Sequence, residues 1–267
     1  MSERIPPIEV QGLTMAYGSR VVMEHLDFRV ESGEVFLIIG PSGCGKSTLL
    51  KHLMGLLPPE EGVIHLLGQN LWELSDEDRG AFLGRNCGVL FQGGALWSSM
   101  TLEENLSLPL QAYTDLPTDE IREICRCKLE LVGLSGFQNY YPSELSGGMK
   151  KRAGLARAMA LDPKILFFDE PSAGLDPVSA RDLDRLILQL RDSLGTTIVM
   201  VTHDLDSIFA TGTRAIYLDP RTRSLLATGS PRQLCGPEAP APVREFLTGG
   251  ILPGEWTRPG AEHLSLS

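Results

Sequence analysis

The sequence is poor in the features that mark several large classes of protein. Its 267 residues include only five cysteines, a sparse and odd set that cannot build a disulfide scaffold. Basic residues are outnumbered, with 24 Lys and Arg against 34 Asp and Glu and a formal net charge of −10. This acidic balance disfavours a protein that works by neutralising nucleic-acid phosphates, so we expect no nucleic-acid partner.

Long apolar runs are also missing. The continuous apolar segment at residues 35–39 is far shorter than the run of about eighteen residues that a membrane-spanning helix needs. The first seven residues lack the apolar core of a signal peptide. We therefore expect a cytoplasmic chain.

Apolar residues nevertheless make up 42% of the chain and charged residues 22%, which is enough to build a sizeable core. Strand patterns occur at residues 8–10, 26–30, 34–39, 165–168 and 197–201. Helical patterns occur at residues 48–54, 102–111, 118–131, 147–160 and 178–194. Strand, helix and strand joined by short loops predict a parallel sheet, so the fold class is α/β with a helical insert. Prolines and glycines after Gly229 predict an extended tail.

Residues 40–47 fit the pattern G-x-x-x-x-G-K-[ST] between a buried strand and a helix. The backbone N–H groups of such a loop cradle phosphates, Lys46 reaches the β- and γ-phosphates, and the Ser47 hydroxyl can bind Mg²⁺. A thiol near a helix N-terminus also predicts a lowered pKa and ready alkylation of Cys44. The predicted nucleotide site comprises Gly40, Pro41, Ser42, Gly43, Cys44, Gly45, Lys46, Ser47 and Thr48.

Asp169 and Glu170 follow the apolar strand pattern at residues 165–168. An acid pair at a strand end is commonly only a solvated turn, but in a fold with a phosphate loop this strand lies beside that loop. Asp169 can then hold Mg²⁺ through water, and Glu170 can act as the general base toward the attacking water.

Ser146, Gly147 and Gly148 precede a helix that is rich in basic residues. The serine could serve only as the N-cap of that helix. Alternatively, its hydroxyl, the unobstructed N–H groups of the glycines and the helix dipole form a second anion site.

In this order, the motifs at residues 40–47, 145–149 and 168–170 resemble the nucleotide-binding domain of ATP-binding-cassette (ABC) proteins, from about Ile8 to Gly229. The resemblance implies the ABC ATPase fold, with a P-loop NTPase (RecA-like) core, an antiparallel β subdomain and an inserted α-helical subdomain at about residues 93–162. It also implies a nucleotide-binding domain at residues 1–230 and a C-terminal extension at residues 231–267.

The resemblance further implies roles for single residues. Tyr17 resembles the aromatic residue that stacks on adenine, and Asp176 resembles the aspartate that communicates across a dimer. Gln92 resembles the glutamine that meets Mg²⁺, and His203 resembles the histidine that contacts the γ-phosphate, although a histidine at a strand end is more often structural. The implied catalytic set is Lys46, Gln92, Glu170 and His203, and the implied metal set is Ser47, Gln92 and Asp169.

The family resemblance implies a head-to-tail homodimer with two ATP molecules at its interface. Each ATP would be held by one subunit's Lys46 loop and by Ser146, Gly147 and Gly148 of the other subunit. A half-site that meets the γ-phosphate only in trans converts the difference between ATP and ADP into a free energy of association. Because every matched position keeps the residue type of the family, we expect both sites to hydrolyse ATP.

A finer likeness points to the ATPases of MCE-type lipid transporters, the group that includes the Mla phospholipid system. Residues 90–97, Met149 after the double glycine, and the C-terminal segment carry this likeness. It implies a separate integral-membrane permease and an MCE substrate-binding protein, and it leaves room for a small regulatory subunit. The chain would then lie peripherally on the cytoplasmic face of the inner membrane.

Two contact surfaces are expected on this basis. Trp97, Leu102 and Leu106 are candidates to line a groove beside Gln92 that receives a short helix of the permease. The C-terminal extension is expected either to be a frayed tail with a short helix or to pack on a neighbouring protomer through Phe246, Leu247 and Trp256.

Other functions remain open at this point. The chain could serve another ABC transporter, such as a solute importer, or act as an ABC ATPase of the iron–sulfur assembly type. A non-enzymatic ATP-binding switch is disfavoured because Lys46, Asp169, Glu170 and His203 are all present.

Overall fold

Residues 5–249 are described by the structure, which is a computed structural model. In this range the strands are β1 (Ile8–Tyr17), β2 (Arg20–Val30), β3 (Val35–Ile39), β4 (Glu61–Leu66), β5 (Gln69–Asn70), β6 (Cys87–Leu90), β7 (Ile165–Asp169), β8 (Thr197–Val201), β9 (Arg214–Asp219) and β10 (Ser224–Gly229). The helices are α1 (Lys46–Leu53), α2 (Asp76–Asn86), α3 (Leu102–Tyr113), α4 (Thr118–Leu131), α5 (Gly147–Ala158), α6 (Pro177–Leu194), α7 (Leu205–Thr211), α8 (Pro231–Leu234) and α9 (Ala241–Thr248).

The strands form two sheets of different character. β2, β1, β4 and β5 pair in that order as an antiparallel sheet. The larger sheet has the order β10-β9-β3-β8-β7-β6, and all of its pairs are parallel except β10 with β9. The mixed α/β architecture therefore matches the predicted fold class.

β3 is buried along its whole length because both of its faces are covered. One apolar core, formed with helices α3 to α9, includes Val35, Leu37 and Ile39. The alternate residues Phe36 and Ile38 belong to a second core shared with the antiparallel sheet and α1. Successive side chains of a strand point to opposite faces, so a continuous apolar run is what a doubly covered strand requires.

Most of the predicted elements are present. The structure gives α4 the predicted bounds, and α6 and β8 lie within one residue of theirs. The sequence analysis did not identify β4, β5, β6, β9, β10, α2, α7 or α8. None of the helices in residues 5–249 is both long and apolar enough to cross a membrane.

The expected permease groove needs correction at two of its three residues. Leu102 and Leu106 are fully buried, because they lie one turn apart on the inward face of α3 together with Leu110. Trp97 is 61% exposed. Its main chain is fixed by the buried Asn105, whose amide oxygen accepts from Trp97 N at 2.7 Å and whose Nδ2 donates to Trp97 O at 3.1 Å. Only Trp97 therefore remains a candidate surface residue.

The prediction of an extended tail after Gly229 is wrong over the described residues, because the chain forms α8 and α9. The short helix that one alternative included is present as α9. Leu247 is fully buried in the core of its own chain, and the Phe246 ring packs edge-on against Tyr217 with centroids 5.6 Å apart. Leu247 therefore does not face a neighbouring protomer, Phe246 is half-buried against its own chain, and Trp256 lies outside the described residues.

Candidate functional site

The phosphate loop connects the carboxyl end of β3 to the first turn of α1, the place where open α/β sheets bind ligands. Gly40 has φ +146°, and a Cβ at this position would lie 2.6 Å from the main-chain oxygen of Leu218 on β9, so only glycine fits. The Lys46 ammonium donates to the main-chain oxygens of Gly40 at 2.9 Å and Pro41 at 3.0 Å. The Lys46 side chain therefore holds the first two residues of the loop through their main-chain oxygens.

A cavity of about 1040 Å³ opens over this loop. Its volume suits a ligand of nucleotide size. The wall includes eleven of the predicted site residues, which are Tyr17, Ser42, Gly43, Cys44, Gly45, Lys46, Ser47, Thr48, Gln92, Glu170 and His203. Tyr17 is 51% exposed, so its ring is available to a ligand.

Asp169 lies at the carboxyl end of β7, where its Oδ1 accepts a hydrogen bond of 3.3 Å from Ser47 Oγ. The sequence analysis placed β7 beside the phosphate loop, but β8 separates β7 from β3 in the sheet. Ser47 and Asp169 still meet, because β3, β8 and β7 are parallel and the phosphate loop and the end of β7 lie at the same carboxyl edge of the sheet. Their hydroxyl and carboxylate oxygens are donors that suit Mg²⁺, a hard cation bound in such sites by one or two protein groups plus phosphate oxygens. Residues 5–249 contain no cluster of three or more His, Cys, Asp or Glu placed to hold a metal ion.

Glu170 and His203 form a pair in the wall of the cavity. His203 Nδ1 lies 2.8 Å from Glu170 Oε1, and the two residues follow the adjacent parallel strands β7 and β8. Glu170 has φ +50°, a left-handed conformation that is unusual for a residue other than glycine. Such backbone strain persists only where the surroundings fix it, and it is common at active sites.

The prediction for the Cys44 thiol is wrong. The side chain is 1% exposed, and burial raises its pKa, although the Lys46 charge acts in the opposite direction. Thiolate reactivity needs both access and a lowered pKa. We therefore expect Cys44 to contribute its backbone, not a reactive thiol, to the phosphate loop.

Ser146, Gly147, Gly148 and Asp176 do not line the cavity. Ser146 caps α5, with its Oγ accepting from Met149 N at 3.3 Å, as the simpler sequence interpretation allowed. Asp176 caps α6, and hydrogen bonds from Ser179 lower the pKa of its carboxyl. The two caps are neighbours, because a Cβ on Gly148 would lie 3.5 Å from Ser179 Oγ. Ser146 and Gly147 are exposed, and Gly148 is half-buried.

Two cationic residues of the cavity wall were missed by the sequence analysis. Arg20 lies at the turn between β1 and β2, and Arg223 lies in the turn before β10. Glu24 N on β2 donates to Arg223 O at 2.8 Å, and this bond holds the turn before β10 against the β1–β2 hairpin. No local pattern marks these arginines, since only the meeting of the two hairpins places them at the cavity.

Comparison with known proteins agrees with this geometry. A family model described as "ABC transporter" matches residues 23–173. A probable ribonucleotide transport ATP-binding protein, mkl of Mycobacterium leprae, is 42% identical over 246 residues, which is 91% of this chain and 69% of that protein. The intermembrane phospholipid transport system ATP-binding protein MlaF of Haemophilus influenzae is 41% identical over 227 residues, which is 85% of each chain. A dimeric ATP-binding cassette solved in a post-hydrolysis state with ADP and Pi superposes with a TM-score of 0.75 at 29% identity, covering 84% of this chain and 98% of that one.

Proposed function

The chain belongs to the ABC transporter family, and from this premise we propose that it is the ATP-hydrolysing subunit of an MCE/Mla-type phospholipid transport complex. The observation that carries the proposal is that the Lys46 loop, Glu170 and His203 line one cavity of nucleotide size, with Asp169 hydrogen-bonded to Ser47 of that loop. A triphosphate bound there would place its terminal phosphate between a cation and a carboxylate base.

We propose that Ser47, Asp169 and Gln92 hold Mg²⁺ at this site. Support comes from the short separation of Ser47 and Asp169 and from the position of Gln92 in the cavity wall. A bound Mg²⁺ would supply positive charge against the negative charge that develops on the phosphates. Glu170 then orients and deprotonates the attacking water, with His203 holding its carboxylate.

We propose that two copies associate head to tail, as in the dimeric cassette whose structure resembles this one. The cavity of the same chain is not lined by Ser146, Gly147 or Gly148. The first two of these residues are exposed and the third is half-buried, so the segment is accessible to a nucleotide held by another copy. The start of α5 supplies N–H groups and a positive dipole end for that purpose. Asp176, which caps the adjacent α6, would lie at the same interface.

The phospholipid assignment rests on relatives named MlaF, which align over 85% or more of this chain and of their own length. Mkl is equally similar in identity but aligns over a smaller share of its own length, so a ribonucleotide or other solute transporter is the second candidate. We further propose the expected domain limits, residues 1–230 with a helical subdomain at 93–162 and an extension at 231–267. The proposed partners are an integral-membrane permease, an MCE protein and a small regulatory subunit, on the cytoplasmic face of the inner membrane.

Capture from detergent-solubilised membranes tests the transporter assignment. The tagged chain should co-purify with an integral-membrane protein, and Trp97→Asp should release that partner while ATP hydrolysis is retained. The reason is that Trp97 is 61% exposed and its main chain is held in place by Asn105. Exposed aromatic residues of this kind commonly dominate the binding energy of an interface.

Leu194→Asp is the matched control, since Leu194 is also exposed, at 42%, but lies at the end of α6. It should leave the partner bound. Recovery of the wild-type chain only with non-membrane iron–sulfur assembly proteins would instead support the iron–sulfur class of ABC ATPase.

A further inference from the structure

Lys151 is a buried lysine whose role none of the motifs assigns. It lies on the second turn of α5 and is 5% exposed. Its ammonium donates to the main-chain oxygen of Gln92 and, at 3.4 Å, to that of Glu170. One side chain therefore contacts the backbone of two residues in the wall of the nucleotide cavity.

Packing alone does not account for a charge at this position. Burial lowers the pKa of Lys151, and the negative charges of Glu170 and Asp169 oppose that change. A buried charge is unfavourable unless its surroundings pair it, and an apolar side chain of similar length would fill the same space at a lower desolvation cost. The ammonium is therefore best explained by its hydrogen bonds to the main-chain oxygens of Gln92 and Glu170.

The Glu170 contact acts on a strained residue. Glu170 keeps φ +50° while its N–H donates to Val201 O at 2.9 Å and its own main-chain oxygen accepts from Ala173 N at 3.2 Å. Lys151 adds a second donor to that oxygen. A strained conformation persists when several groups determine it together, and here Lys151 is the charged one.

The Gln92 contact is part of a longer attachment between α5 and the loop at residues 92–95. At Gly154, a Cβ would lie 2.9 Å from Gly94 O, so the loop touches the helix backbone directly. One turn further, Arg157 Nη1 donates to Ala95 O at 2.7 Å. The loop is therefore held to α5 at both of its ends.

We propose that Lys151 is a positioning residue that sets the main chain of Gln92 and Glu170 for ATP hydrolysis. Because α5 begins just after Ser146, the same helix joins the nucleotide cavity of one chain to the Ser146, Gly147 and Gly148 segment that would contact the partner's nucleotide. This inference rests on the proposed ATPase function. It adds Lys151 as a residue that would couple the nucleotide cavity to the Ser146, Gly147 and Gly148 segment at the start of the same helix.

Steady-state kinetics of Lys151→Met tests the proposal. Methionine keeps the length and apolar stem but removes the donor. Since a displacement of about 1 Å at a reacting centre can cost about a hundred-fold in rate, we expect kcat to fall by about ten- to a hundred-fold. The KM for ATP and the Tm should stay near the wild-type values, because the Lys46 loop and the core are untouched. Arg157→Met, at a half-buried position that is less demanding for folding, should lower kcat in the same way by loosening the far end of the loop.

Lys128→Met is the matched control. Lys128 is also buried, at 6% exposed, but it pairs with Asp162 on another part of the surface and should keep the wild-type kcat. A wild-type kcat in Lys151→Met, or in Arg157→Met if Lys151→Met does not fold, would overturn the inference while leaving the ATPase assignment intact. So would a fall in kcat of the same size in Lys128→Met, because a loss shared by both buried lysines would reflect general destabilisation. Failure of the wild-type protein itself to hydrolyse ATP would instead overturn the proposed function.

Discussion

Replacing Glu170 with glutamine should lower the rate of ATP hydrolysis by about 10²- to 10⁴-fold while ATP binding is retained, the usual contribution of a general base. Glutamine has nearly the same shape but cannot accept the proton of the attacking water. Binding should persist because the Lys46 loop, Ser47 and Tyr17 are unchanged, and they line the cavity independently of Glu170. Phosphate release and a fluorescence titration with ATP measure the two quantities separately.

Glu120→Gln serves as the control for Glu170→Gln, since Glu120 is an exposed residue of α4 that does not line the cavity. It should hydrolyse ATP at the wild-type rate. Wild-type turnover in Glu170→Gln would show that the water is activated by another group and would remove the general-base role from this residue.

Replacing Lys46 with methionine should weaken ATP binding by about ten- to a hundred-fold, the equivalent of one hydrogen bond to a charged group. The Lys46 ammonium donates to the carbonyl groups of Gly40 and Pro41, so the loop already holds it in place. Methionine leaves those two carbonyls without their donor and leaves the β- and γ-phosphates without a cation. Turnover should therefore fall together with affinity, which equilibrium titration and phosphate release measure.

Lys51→Met is the matched control for Lys46→Met. Lys51 is on the same helix, but it is exposed and outside the cavity wall. It should bind ATP as the wild-type chain does. Unchanged affinity in Lys46→Met would mean that the cavity over this loop is not where the triphosphate binds.

Sequence patterns predicted the parts of the fold whose structure is set mainly by residues close together in the chain. The phosphate loop follows from its glycines and lysine, and α4 follows from a strong helical period between Pro117 and Leu131. The pairing of Glu170 with His203 follows once β7 and β8 are known to be adjacent and parallel.

Tertiary packing determines which side chains are buried, and the sequence patterns did not predict this at several positions. Cys44 has the sequence environment of a reactive thiol, but its side chain turns inward toward Gly40, where burial controls its pKa. Leu102 and Leu106 could face either side of α3 until the neighbouring helices cover one face. Leu247 likewise became a core residue because α9 folds back on β9.

Lys151 shows the same limit at the site itself. In the sequence it is one of three consecutive basic residues after the double glycine, and nothing separates it from Lys150 and Arg152. Only the tertiary structure places its ammonium between Gln92 and Glu170. Position in the fold, not residue type, therefore assigns its role.

The molecular mass of Glu170→Gln with Mg²⁺ and ATP, measured by light scattering, is the most direct test of nucleotide-dependent association. The account predicts twice the 29.1 kDa of one chain with ATP, a single chain with ADP, and a single chain with ATP bound when Ser146→Arg is added. A mass of 29.1 kDa for Glu170→Gln with ATP bound, both alone and in the presence of its permease, would contradict it.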